Sequence, residues 1–434
     1  MFISRASLWT NLDCVGGDKT RVYLERSKSS RISLFLDRDC SLSPYDPFFE
    51  IIPHVVGRLK SLSVWGKPKH LRDITAQLSH PAPLLEKLLI YGDHAYPPHH
   101  NHTLTPALFS GNLSSLRELS LESVRTDLPW RNMVNLTSFT LARTLPSDLS
   151  FKHLLDFFEG APRLRNIGLH LTVRTCGARN GRLVSLECLE WMYINGGGRI
   201  SHLLNHLLTP VGAELTTRIE SPTFAIEDHL PRSLDNLRNF LNFTAVKLYG
   251  GGPNPRMRFT GPNGQVTMIP RTSRVDGTRL VLESLVQLDT SKTERLEISC
   301  GDPSSSGPPY RALLPMKALR TLTLSQCIRP HPFIGALHPD AISLEPLVCP
   351  KLEELTLVLH TDGEIFDIKR IIGMAAARAS KGAKLKSVRI FGQDEFGWAD
   401  VLELEKYVLH VECGPEVDGT GDGIGEEDRG DWGL

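Results

Sequence analysis

Net charge is the first thing this chain of 434 residues lacks, since 49 lysines and arginines meet 49 aspartates and glutamates. Without surplus cations to displace counterions, nucleic acid and anionic membranes are not expected partners. Long apolar runs are missing as well, and no stretch approaches the roughly 18 residues of a membrane span. The first dozen residues lack the charged start and apolar middle of a secretory signal. Eight cysteines, at 14, 40, 176, 188, 300, 327, 349 and 413, never form a Cys-x-x-Cys pair. Spread so thinly, they read as reduced thiols of a cytoplasmic or nuclear protein, not a disulfide frame. Phosphate-loop (G-x-x-x-x-G-K-[ST]), nucleophile-elbow (G-x-S-x-G) and zinc-protease (H-E-x-x-H) phrases are absent. No catalytic residue, metal or cofactor is therefore expected.

What the sequence has is a phrase of the form L-x-x-L-x-L. It stands at Leu59/Leu62/Val64, Leu85/Leu88/Ile90, Leu116/Leu119/Leu121, Leu136/Phe139/Leu141, Leu164/Ile167/Leu169 and Leu186/Leu189/Trp191. It returns at Leu319/Leu322/Leu324, Leu352/Leu355/Leu357 and Leu385/Val388/Ile390, with shorter forms at Val246/Leu248 and Leu296/Ile298. First positions are 26, 31, 20, 28 and 22 residues apart early on and 33 apart near the end. Two apolar positions flanking one polar residue mark a short strand with one buried face. A leading leucine three residues earlier marks the turn into it, and the period is that of leucine-rich repeats. The phrase at Leu319 closes on Cys327, where a buried side chain can satisfy loop amides.

Helical spacing fills the gaps, at Asp46–Leu59 (interrupted by Pro53), Phe151–Glu159, Ile200–Leu208, Thr278–Leu288 and Phe366–Ala379. Strand and helix alternate, so each unit lays a parallel strand beside the last. The fold expected is an α/β leucine-rich-repeat solenoid, an irregular right-handed horseshoe. Strands line its concave face; helices and loops form the convex one. Residues 1–45 are expected to cap the solenoid, which spans 46–413. An inserted loop or hairpin occupies 250–279, built on Arg256–Phe259 and Gln265–Ile269 around a Gly-Pro-Asn-Gly turn. Residues 414–434 hold seven acids against Arg429 and should be a disordered acidic tail. Upstream remain 48 basic and 42 acidic residues, an excess of six too dispersed to suggest a phosphate pocket.

Within the tail, Gly419–Gly425 mimics a phosphate-cradling loop but sits among acids. Four histidines in Asp93–His102 could surround a metal, yet a solvated loop between repeats accounts for them. The repeat itself offers a surface, because side chains between the buried leucines face the concave side. Most are small or polar. Trp65, Leu89 and Tyr91 are not; they cluster on adjacent rows, as contact anchors or as residues covered by an N-terminal cap. With them the candidate partner-binding residues are Glu118, Glu122, His170, Arg389 and Phe391. Trp191, at a leucine position, is expected in the core.

Several phrases carry a family resemblance: Ser7–Asp13, Tyr23–Ser27 leading to Ile32–Leu36, Leu128–Asn132, Leu154–Leu164, Val246–Tyr249 and Phe259–Gln265. Together they resemble the region after the F-box in basidiomycete-type fungal F-box/leucine-rich-repeat proteins, over roughly residues 5–400. The resemblance implies a substrate receptor of a cullin-type ubiquitin ligase, whose repeats capture an unknown protein substrate. The adaptor-docking F-box helices, expected upstream of Ser7, have no counterpart here, so an adaptor is a partner only if an upstream F-box exists. A repeat scaffold unconnected with ubiquitin, and an enzyme with a site in the 250–279 insertion, are the alternatives.

Overall fold

A computed structural model describes residues 5–13, 17–36, 52–93, 103–104, 108–126, 133–144, 151–171, 182–196, 200–220, 226–250, 255–271, 277–299, 309–327, 330–339, 347–359, 366–392 and 397–415. They divide into two units, Met1–Ala213 with Pro231–Arg238, and Glu214–Leu230 with Asn239–Leu434. Both are mixed α/β, and their sheets are mostly parallel.

In the first unit the main described strands run parallel and pair in chain order. They are β1 (Asn11–Asp13), β2 (Ile32–Leu36), β3 (Leu59–Gly66), β4 (Lys87–Gly92), β5 (Glu118–Glu122), β6 (Ser138–Thr144), β7 (Asn166–Leu171) and β8 (Trp191–Gly196). Register turns the sequence phrase into two continuous rows. One is Leu34, Leu62, Leu88, Leu119, Phe139, Ile167 and Met192; the other is Leu36, Val64, Ile90, Leu121, Leu141, Leu169 and Ile194. Every member is buried. Each contributes about 2 kcal/mol of transfer free energy that one strand alone could not collect.

The leading leucine closes a tight turn. Its N–H donates to the carbonyl three residues back, from Leu85 to Ala82 (3.1 Å), Leu116 to Leu113 (3.1 Å), Leu136 to Met133 (3.0 Å) and Leu189 to Leu186 (2.9 Å). Those earlier residues are themselves buried, so the unit has a fourth apolar position that the sequence phrase omits. This corrects the reading of Trp191. In the phrase at 186, Leu186 fills that fourth position and Leu189 is the true leading leucine. Met192 and Ile194 then enter the core rows, while Trp191 aligns with Asn166 on the opposite face.

Beside β3, the segment 1–45 supplies two further strands to the sheet, with Ile32, Leu34 and Leu36 buried in period two. Helices α1 (Gly17–Ser27), α2 (Pro68–Gln77), α3 (Phe151–Gly160) and α4 (Ile200–Leu204) lie between strands. In α3 the spacing of Leu154, Leu155, Phe157 and Phe158 buries all four, and the Phe157 ring sits 4.4 Å from Phe139 of the core row.

The second unit contains β9 (Glu214–Glu220), β10 (Ala245–Tyr249), β11 (Arg256–Gly261), β12 (Gly264–Arg271), β13 (Arg295–Ser299), β14 (Thr321–Cys327), β15 (Glu354–Leu359), β16 (Ser387–Phe391) and β17 (His410–Gly414). Spatial order departs from chain order only at the hairpin. The sheet runs β9, β12, β11, β10, then β13 to β17, and β11 is antiparallel to both neighbours. The hairpin at 256–271 is thus part of the sheet, with Met257, Phe259, Val266 and Met268 buried in its core rows. The missing leading leucines are Phe243 and Thr293, both buried.

Helices α5 (Ile226–His229), α6 (Gly277–Leu285), α7 (Tyr310–Leu313), α8 (His331–Leu337), α9 (Ile368–Ser380) and α10 (Trp398–Glu405) belong to this unit. Of these, α9 begins inside the helical stretch read at Phe366–Ala379, and α6 overlaps the one read at Thr278–Leu288. Among the described residues no helix is long and apolar enough to cross a membrane. Just past β16, Gly392 has φ +91°, and a Cβ there would collide with the Leu359 carbonyl oxygen. Gly392→Ala should therefore cost about 2 kcal/mol in chemical denaturation, from left-handed strain plus displacement of β15.

Candidate functional site

Opposite the core rows, the face of the first unit presents the residues between the leucines. Trp65 pairs in register with Tyr91, and their ring centroids are 4.9 Å apart at 51°. Leu89 is one step back along β4, beside Ser63, and Ser63 adjoins Phe35. All are partly exposed, Phe35 by 43%. Strand β2 contributes Phe35 to this cluster, and β1 continues the sheet beside it. Among the described residues, then, the N-terminal segment does not cover it. Four large side chains on three strands form an apolar patch beside Ser33, Ser61 and Ser63.

The remaining expected residues fare differently. Glu118 lies on the same face but its carboxylate already meets Lys87 Nζ at 2.8 Å. Glu122 is beside Tyr91 in register yet only 1% exposed, with Arg143 Nε 3.8 Å from its carboxylate. A register shift between Leu141 and Thr144, where Arg143 takes φ +52°, brings that guanidinium over. Glu122 is buried, not offered to solvent. His170 faces outward, its ring 5.4 Å from Tyr193 and its Nδ1 3.4 Å from the Asn195 amide. In the second unit Arg389 pairs with Glu412 at 3.5 Å, and Phe391 is half-buried between Val358 and Gly414.

Sequence reasoning missed a second aromatic group. Trp191 and Tyr193 stack at 6.1 Å with planes 5° apart, and with His170 they occupy the far strands of the same face. Their signal was available as alternation, Trp191-Met192-Tyr193-Ile194, once the leading leucine is placed at Leu189. From β4 to β8 is four strand spacings, about 19 Å. Two aromatic groups thus flank a polar middle of Ser120, Thr140 and Gly168.

A groove of about 620 Å³ opens elsewhere on this unit, lined by Arg31, Glu86, Arg117, Arg163, Arg165 and Cys188 among others. Two of its arginines are engaged in ion pairs, Arg31 with Glu86 at 2.9 Å and Arg165 with Glu190 at 3.0 Å. The histidine tract at 94–102, the Cys327 side chain and residues 416–434 fall outside the described residues. No group of three or more potential metal ligands occurs among the described residues. Compared with known proteins, the chain matches no protein-family model and no curated protein.

Proposed function

We propose that the chain is a leucine-rich-repeat solenoid acting as a non-catalytic protein-recognition module in the cytoplasm or nucleus. The family resemblance further suggests the substrate-binding part of an F-box-type ubiquitin-ligase receptor. The observation that carries the recognition reading is the patch of Phe35, Trp65, Leu89 and Tyr91, partly exposed on an ordered sheet face. Rigid aromatics presented by strands lose little entropy on binding and are the residue types that dominate interface energies.

The test compares affinity capture by the wild-type chain with that by Trp65→Ala/Tyr91→Ala. Each removal should cost about 2 kcal/mol at a true anchor, so captured proteins fall by more than roughly tenfold in the double variant. Trp398→Ala, which alters a side chain 75% exposed on α10, should leave capture unchanged. Equal capture by all three chains would remove the recognition reading. For the ubiquitin part, a captured protein should accumulate when the chain is depleted from cells; unchanged abundance would favour a scaffold.

A further inference from the structure

Basic residues that look dispersed along the sequence are gathered by the hairpin of the second unit. Arg258 on β11 pairs in register with Lys247 on one side and Thr267 on the other, and Thr267 pairs with Thr216. One step along the strands, Arg256 is paired with Tyr249, and Arg218 with Ile269. All project from the face opposite the buried Met257 and Phe259, so four cations crowd strands β9 to β10. Lys247 is matched by Glu297 at 2.8 Å. Arg218 and Arg258 have neither a hydrogen bond nor an ion pair among the described residues, and the Nε of each is shielded from water with no acceptor.

Such guanidinium groups are poor structural elements, since a desolvated donor left unpaired is destabilising. They suit an incoming anion, because the planar fork binds a carboxylate through two parallel hydrogen bonds. We propose that this face binds an acidic, extended polypeptide segment of a partner protein, with Arg218, Arg256 and Arg258 holding its carboxylates.

Spacing and surroundings select the occupant. Arg256 and Arg258 are alternate residues of one strand, about 6.8 Å apart, the separation of alternate side chains in an extended peptide. Acidic residues at i and i+2 would each meet one guanidinium. Beyond β10 the same face carries Glu297, Glu354 and Glu412, of which Glu297 is paired with Lys247 and Glu412 with Arg389. The proposal is independent of the aromatic patch.

Fluorescence anisotropy of the full chain with a labelled peptide of alternating glycine and glutamate, about ten residues long, tests it. Saturable binding that weakens as salt rises is expected. Arg256→Ala/Arg258→Ala should weaken it by roughly tenfold or more. Arg320→Ala, whose partner is Glu353 at 3.1 Å, should bind as wild type. Thermal melts establish that the variants are folded, and Arg218→Gln gives a milder second reading of the same loss. Equal binding of the glycine–glutamine counterpart overturns the proposal. So does tighter binding of a short single-stranded oligonucleotide that the same variants abolish, which would assign the face to nucleic acid. A chain ending at Gly414 that binds the peptide more than about tenfold tighter would assign it to the protein's own acidic tail instead.

Discussion

Replacing Arg378 by alanine is expected to lower the unfolding free energy by about 4 kcal/mol, one of the two largest effects foreseen for this protein. Arg378 lies near the end of α9 and is fully buried. Its Nη1 donates to the Val348 carbonyl at 2.9 Å and reaches that of Leu337 at 3.5 Å, while Nη2 donates to the Cys349 carbonyl at 2.8 Å. Leu337 is the last residue of α8, and Val348 and Cys349 form the turn into the Leu352 phrase. One side chain therefore satisfies carbonyls at the end of α8 and in the turn that leads into β15. Cys349 holds φ +47°, and its thiol donates to the Leu313 carbonyl at 3.4 Å. Burial pushes that thiol up to about 12, so it stays protonated and serves as a donor.

A buried cation without a carboxylate partner is costly, and burial holds Arg378 below the usual arginine range. Replacement by methionine thus tests which term wins. It removes the charge penalty but leaves buried carbonyls unpaired, and it should lose about 2 kcal/mol, less than alanine, which adds a cavity. Urea denaturation of the three chains measures the order. A methionine variant as stable as wild type would mean the hydrogen bonds only offset the desolvation they require.

Acidification gives the second large effect, through His229. Thr217 takes a core position of β9 where neighbouring strands carry Met268, Met257 and Leu248. Its hydroxyl lies 2.9 Å from His229 Nδ1 on α5, which pairs a polar group in an apolar row. Burial pushes the imidazole down to about 3 from an ordinary 6.5. Between those values the unfolded chain binds a proton that the folded chain refuses. Stability is then complete above pH 6.5 and falls as the pH drops toward 3, with about 2 kcal/mol lost by pH 5 and about 3 by pH 4. The difference in unfolding free energy between pH 7.5 and 5 should shrink by about 2 kcal/mol in His229→Gln, which cannot take up the proton. An identical pH dependence in that variant would contradict a neutral, buried His229.

The leucine phrases were legible because period two over a short strand leaves little freedom once its neighbours carry the same period. Trp191 was misplaced for an equally physical reason. The buried position ahead of the leading leucine is itself leucine in that repeat, so the phrase could be read three residues early. Residues 32–36 alternate as a strand, but without a leading leucine they read as a cap. The burial of Glu122 had no linear signal, because only the register shift beyond Leu141 brings Arg143 near it. The basic face had no linear signal, since residue 218 approaches 258 only through the antiparallel pairing of the hairpin.

That hairpin has a consequence for synthesis. In a stack ordered as the chain is, each strand docks on its predecessor as it leaves the ribosome. Within the second unit β9 cannot, because its partner there is β12, which begins some fifty residues later at Gly264. At ordinary translation speed Leu215 and Ile219 therefore wait on the order of seconds before their own unit can cover them. This unit thus leaves apolar strand surface uncovered for longer during synthesis than a stack paired in chain order would.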